Sequence, residues 1–155
     1  MTTRLSAEVL KVLAGKRLAT AESLTGGGIG AAITSVSGAS RVFAGGVISY
    51  TNEVKHRVLG VPEELLNTLG AVSGPVAQAM AEGAKRVLNA DVAVSVTGLA
   101  GPDGDEFGHP VGTVFIGYAD SETVLARECH FAGTREQVRE QTIQAALELM
   151  LERNG

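Results

Sequence analysis

The chain has 155 residues, 45% of them apolar and 19% charged, and a formal net charge of −4. That length and apolar content suit one folded domain, residues 1–155, with a substantial core, and exclude a disordered chain. The acidic balance, with no lysine/arginine cluster, excludes a general affinity for nucleic acid, and no apolar stretch is long enough to cross a bilayer.

The start, Met1-Thr2-Thr3-Arg4, lacks the apolar core of a signal peptide, and Cys129 is the one cysteine. A chain without an internal disulfide fits a reducing compartment, so the expected location is cytoplasmic.

In chain order, Ser6 to Ala14 predicts a helix with Val9, Leu10 and Leu13 on one face, and Leu18 to Ala21 a short buried strand. A helix is expected over Gly26 to Val36, after three consecutive glycines. Arg41 to Tyr50 is β-rich. Asn52 is expected to cap a short helix carrying Val54, Lys55 and Val58, and another short helix follows Pro62. Ser73 caps a helix that tolerates Pro75 in its first turn and runs to about Leu88. Asp91 to Val96 reads as a strand, Asp103 to Pro110 as a polar loop, and Val111 to Tyr118 with Thr123 to Phe131 as an antiparallel hairpin. Thr134 opens the last helix, with Gln137 in capping-box position.

The last helix carries two apolar stripes: Val138, Thr142, Ala145 and Leu149, then Ile143, Leu147, Met150 and Leu151. One sheet covers only one stripe, which predicts a second helix or second subunit on the other, and hence a homo-oligomer with a dimer as its smallest unit. Alternating helices and strands predict an α/β fold: a single three-layer α/β/α sandwich with a mixed, mostly parallel sheet of about five strands.

Polar residues gather where strands end, at Glu22-Ser23-Leu24-Thr25, at Tyr50 to Lys55, and at Ser95-Val96-Thr97-Gly98. Ligands of open α/β sheets collect beyond the carboxyl ends of the strands, so one pocket would hold Ser23, Tyr50, Lys55 and Thr97. Each has a plainer reading alone. Ser23 could only cap a helix, Lys55 be a solvated charge, Tyr50 an edge aromatic and Thr97-Gly98 a turn. Gly26, Gly27 and Gly28 at a strand-to-helix junction expose backbone N–H groups to a phosphate or an oxyanion. The histidines His56, His109 and His130 share no metal spacing, so no metal and no cofactor is expected. His109 is the one histidine placed to serve a serine triad. Cys129, inside a strand, is expected to pack in the core.

Five segments add a resemblance that covers nearly the whole chain. TAESLTGG, GGVISYTNEVKHRVLGV, AVSVTGLAGPDG, HPVGTVF and FAGTREQVREQT occur in the order and spacing of the CinA C-terminal domain family. The resemblance implies an amidase that converts nicotinamide mononucleotide to nicotinate mononucleotide and ammonia. It implies Ser23 as nucleophile, Lys55 as general base, Tyr50 as its partner and Thr97 as a site-lining hydroxyl. Arg135 would recognise the phosphate or charge of this small-molecule nucleotide. Glu22, Thr25, Gly26, Gly27, Gly28 and Gly98 are expected around the substrate, Glu22 orienting Lys55 or capping a turn. The short, acidic loop Asp103 to His109 departs from the family's glycine-rich version and bears on substrate choice; Gly74-Pro75 departs at a helix start. The rival readings are a non-catalytic nucleotide-binding or regulatory module and an amidase on another small amide.

Overall fold

The computed structural model describes residues 2–155. Five strands form one sheet in the order β2-β1-β3-β4-β5, with β1 Leu18–Glu22, β2 Phe43–Ile48, β3 Val92–Gly98, β4 Thr113–Ala119 and β5 Val124–His130. β1 pairs in parallel with both β2 and β3, whereas β3–β4 and β4–β5 are antiparallel. The sheet is mixed and flanked by helices, as the alternation predicts, and four of its five strands run in one direction, with β4 reversed. A strand joined to its neighbour by a short turn can only return antiparallel, and β5 follows β4 that way through residues 120–123, whereas the long loop 99–112 leads from β3 into β4.

The helices are α1 Thr2–Val12, α2 Gly28–Thr34, α3 Asn52–Arg57, α4 Glu63–Thr68, α5 Gly74–Val87 and α6 Arg135–Asn154. α1 starts earlier and α2 later than their apolar spacing suggests. Gly26 and Gly27 lie in left-handed conformations (φ 58° and 104°), so helical geometry begins only at Gly28. Thr51, rather than Asn52, caps α3 by accepting from Val54 N–H. Ser73 caps α5 with Pro75 in the first turn, and Thr134 with Gln137 forms the expected capping box on α6.

The two faces of the sheet are built differently. Val92, Val94 and Val96 of β3 point into a core of large residues shared with α1, α2 and α6. The alternate residues of the sheet, Ala19, Ala21, Ala93 and Ala119, face α5 and α4. Small side chains let α5 lie close: a Cβ on Gly117 of β4 would run into the carbonyl of Ala77 in α5. This is the packing that a glycine-rich, aromatic-poor sequence allows.

The two stripes of α6 are both covered within the chain. Val138, Thr142, Leu147, Leu149 and Met150 are buried, and Ala145, Ile143 and Leu151 partly so. α6 packs on β3 and β4 with one side and on α1 and α2 with the other. Of the two expected covers for the second stripe, a second helix or a second subunit, the chain itself supplies the helix, α1.

β1 connects to β2 through α2 on one face, and β2 connects to β3 through α5 on the other. The carboxyl ends of β2, β1 and β3 thus lie side by side at a switch in crossover direction, where an open α/β sheet leaves a crevice.

Candidate active site

Ser23 follows the last residue of β1. Its N–H donates to Val96 O at 3.1 Å, continuing the ladder with β3, and its carbonyl accepts from Gly26 N–H at 3.1 Å. The chain turns sharply there because Gly26 and Gly27 take conformations that side chains resist. The serine is left 7% exposed at the base of a cavity of about 430 Å³, a size suited to a small ligand.

Lys55 comes from α3 and reaches this serine from the other side of the β2 end. Its Nζ lies 3.1 Å from Ser23 Oγ, 2.9 Å from Ser49 O and 3.2 Å from Tyr50 O. The side chain is 1% exposed, with no carboxylate among its hydrogen-bond partners. Burial without a counter-charge disfavours the ammonium and pushes the amine down from 10.5 to about 8. The three contacts suit either protonation state. The ammonium donates to all three oxygens; in the neutral amine two N–H groups keep the two carbonyls and the nitrogen lone pair turns to the Ser23 hydroxyl. A buried lysine in this arrangement can take a proton from serine.

Tyr50 lines the cavity but meets Lys55 through its carbonyl and not its phenol. Its side chain is 60% exposed, and its hydroxyl accepts from Arg135 Nη2 at 3.3 Å. The Tyr50 phenol, expected as the partner of Lys55, makes no hydrogen bond to its amine. Arg135, in the first turn of α6, also donates to Gly101 O at 2.6 Å, so its guanidinium is held across the cavity mouth. Thr97 lines the cavity from the end of β3 and donates to Ala71 O at 2.9 Å, tying the 70–72 wall to the sheet. Gly98 lines it too, and a Cβ there would strike the β4 backbone.

Glu22, Thr25, Gly26, Gly27 and Gly28 are brought close to Ser23 but do not line the cavity. Glu22 is 2% exposed and accepts from Thr25 Oγ1 (2.6 Å), Ile29 N–H (2.8 Å) and Gly30 N–H (3.0 Å). It caps the start of α2 and does not orient Lys55. A carboxylate on those helix donors occupies the place a phosphate would take. Gly26 N–H and Gly28 N–H are engaged by the carbonyls of Ser23 and Thr25. Gly28 serves packing instead: a Cβ there would sit 2.5 Å from Ile143 Cδ1 of α6.

His109 does not reach the serine. Its Nδ1 pairs with Asp105 Oδ2 at 2.8 Å, while His56 and His130 pair with Glu63 and Glu128. The His109 contact draws Asp105 below the ordinary carboxylate range, against the opposing effect of burial. Asp105 also accepts from the N–H groups of Phe107 and His109, which organises the loop after Gly101. Cys129 is half-buried on β5, where burial pushes its thiol up. Among the described residues no group of three His, Cys, Asp or Glu side chains could hold a metal ion.

Sequence reasoning missed Asp103, Asp105, Glu106 and Phe107 as individual lining residues, although it marked their loop for substrate choice. They add acidic and aromatic groups to a lining that also holds Arg135. It also missed the Ser49 carbonyl and Arg139, which no side-chain pattern signals. Arg139 binds the serine loop from α6, donating to Leu24 O and Thr25 O.

Comparisons with known proteins agree with this reading of fold and motifs. The family model described as the CinA C-terminal domain matches residues 2–153. A protein of Pseudomonas putida named nicotinamide-nucleotide amidohydrolase PncC is 48% identical over 136 residues, which are 88% of this chain and 85% of that protein. A CinA-like protein of Geobacter sulfurreducens is 48% identical over 139 residues, 90% of this chain but 34% of its own length. A Lactiplantibacillus plantarum protein named for competence-damage induction is 49% identical over 131 residues, and this chain spans 31% of it. The crystal structure of a competence damage-inducible protein A from Klebsiella pneumoniae superposes with a TM-score of 0.96 at 36% identity, covering 98% of this chain and 96% of that one. The chain belongs to the CinA C-terminal domain family.

Proposed function

We propose that this chain hydrolyses the carboxamide of nicotinamide mononucleotide, giving nicotinate mononucleotide and ammonia. The observation that carries the reading is the buried contact between Lys55 Nζ and Ser23 Oγ, because a binding module needs no serine beside an uncompensated lysine. The similarity to the Pseudomonas putida amidohydrolase, over most of both chains, supports the substrate.

Serine is a weak nucleophile until a base takes its proton. Neutral Lys55 accepts the hydroxyl proton as Ser23 Oγ attacks the carboxamide carbon. The resulting ammonium returns that proton to the amide nitrogen, and the C–N bond breaks to release ammonia. Water then attacks the acyl-enzyme, giving one proton to Lys55; the ester bond breaks, and the proton passes to Ser23 Oγ.

The cavity also matches the substrate's charges. A nicotinamide nucleotide carries a cationic pyridinium ring and an anionic phosphate. Among the lining residues Arg135 offers an anion partner, and Asp103, Glu106 and Phe107 offer a cation and ring partner. Tyr50 holds Arg135 in place, and Thr97 fixes the wall at Ala71.

The test is incubation of the purified chain with nicotinamide mononucleotide, following ammonia and nicotinate mononucleotide in equal amounts. Release of both is the expected result. Tight binding without turnover would favour the regulatory reading, and turnover of free nicotinamide at an equal rate would overturn the nucleotide specificity.

A further inference from the structure

The loop that carries Ser23 is held by a residue more than a hundred positions away. Arg139, one turn beyond Arg135 on α6, donates from Nε to Leu24 O at 3.0 Å and from Nη2 to Thr25 O at 3.2 Å. In a trans peptide the carbonyl and the following N–H point in opposite directions. With the Leu24 carbonyl turned to Arg139, the Thr25 N–H is turned away from it. The Ser23 carbonyl is likewise fixed by Gly26 N–H, which directs the Leu24 N–H away from Gly26.

Neither of these two N–H groups meets an acceptor among the described residues, although Leu24 and Thr25 are only 4% and 1% exposed. Buried backbone donors are nearly always paired, so two consecutive unpaired ones immediately after a serine nucleophile require a partner from outside the chain. Leu24 lines the cavity that holds Ser23 and Lys55. Of the neighbouring donors, Gly26, Gly28, Ile29 and Gly30 have acceptors, and Gly27, which has none, is only partly buried.

We propose that the Leu24 N–H, with the Thr25 N–H behind it, receives the oxyanion formed when Ser23 attacks, and that Arg139 is the positioning residue, directly for the Thr25 N–H and through the Gly26 N–H for the Leu24 N–H. The inference rests on the amidase reading. Attack by Ser23 Oγ forms the C–O bond as the carbonyl π pair moves onto oxygen, and that negative charge is what the Leu24 N–H meets at the cavity wall, with the Thr25 N–H dipole behind it. Arg139 contributes in two ways. Its hold on Leu24 O fixes and polarises the peptide that carries the Thr25 N–H, and its hold on Thr25 O does the same for the Gly26 N–H, which in turn holds the Ser23 carbonyl of the peptide that carries the Leu24 N–H. A guanidinium suits the task because its rigid fork spans two successive carbonyls, which a lysine cannot do.

The experiment compares nicotinamide mononucleotide with its thioamide analogue in the wild type, Arg139→Ala and Arg139→Lys, with thermal melts on all three. Sulfur is a poor hydrogen-bond acceptor, so an enzyme that stabilises an oxyanion prefers the oxygen substrate. The wild type is expected to show a large oxygen-to-sulfur ratio in kcat. Arg139→Ala should lose roughly 10- to 100-fold in kcat on the oxygen substrate, with KM within about threefold, and most of that ratio should vanish. Arg139→Lys should fall between. A wild-type ratio near one, or variants that lose activity on both substrates equally, overturns the inference while leaving the amidase reading intact; the Lys variant and the wild-type ratio decide it if the Ala variant does not fold. No ammonia from the wild type overturns both.

Discussion

Lys55 Nζ lies 3.1 Å from Ser23 Oγ, while the other two groups it touches are backbone carbonyls, Ser49 O and Tyr50 O. No carboxylate offsets its charge. The arrangement distinguishes a base from an electrostatic anchor, and the distinction is measurable. Lys55→Arg keeps the charge but cannot deprotonate, so it should lose activity nearly as fully as Lys55→Ala, by roughly 1,000-fold or more. Steady-state kinetics on both variants is the check. An Arg variant within tenfold of wild type, or an Ala variant that only raises KM, would remove Lys55 as the base.

The lowered lysine fixes the pH behaviour as well. With its amine at about 8, kcat/KM should climb about tenfold per pH unit below 7.5 and reach a plateau above about 8.5. Stability should respond in the same direction. The folded chain releases this proton at about 8 and the unfolded chain at 10.5, so the unfolded state binds more protons between those values. Folding stability therefore rises with pH across that window, by about 3 kcal/mol at most, relative to Lys55→Met. Urea melts of wild type and Lys55→Met at pH 7 and pH 10 test this. A difference between them that stays constant would mean the amine is not depressed.

Tyr50 reaches Lys55 only by its carbonyl, and its phenol is with Arg135. Tyr50→Phe should accordingly keep kcat within about threefold and raise KM, by loosening Arg135. A kcat loss of a hundredfold with KM unchanged would restore the phenol to the proton path.

Gly28 tests whether the glycine run packs or binds. Gly28→Ala should destabilise the fold by about 1–3 kcal/mol, because its Cβ meets Ile143 Cδ1. Ile143→Val removes that very carbon and should recover much of the loss in the double variant, with KM unchanged throughout. A raised KM in a fully stable Gly28→Ala protein would return these glycines to substrate binding.

The strand ends that build the site were readable because polar residues interrupt short apolar runs there: Ser23 after Leu18–Ala21, Thr97 after the alternating valines of β3. The capping box at Thr134 and the cap at Ser73 were readable for the same local reason. What distant elements decide was not readable. Glu22 and the three glycines look like a ligand loop in sequence, and only the folded chain shows that the Glu22 carboxylate is taken by the start of α2, that the Gly26 and Gly28 N–H groups meet local carbonyls, and that Gly28 packs on α6. Lys55 on a short helix has the pattern of a surface charge, and the β2 end, which the sequence cannot place, buries it. The second stripe of α6 suggested a partner chain because nothing local marks α1 as its cover.

The account turns on a covalent intermediate at Ser23. Acid-quenched reactions of the purified protein with nicotinamide mononucleotide, read by intact-protein and peptide mass spectrometry within the first turnover, test it directly. The account predicts a nicotinate mononucleotide acyl group on the peptide containing Ser23, formed with one equivalent of ammonia and absent from Ser23→Ala. An active Ser23→Ala protein, or steady turnover with no adduct and no burst of ammonia at any quench time or pH, would contradict it.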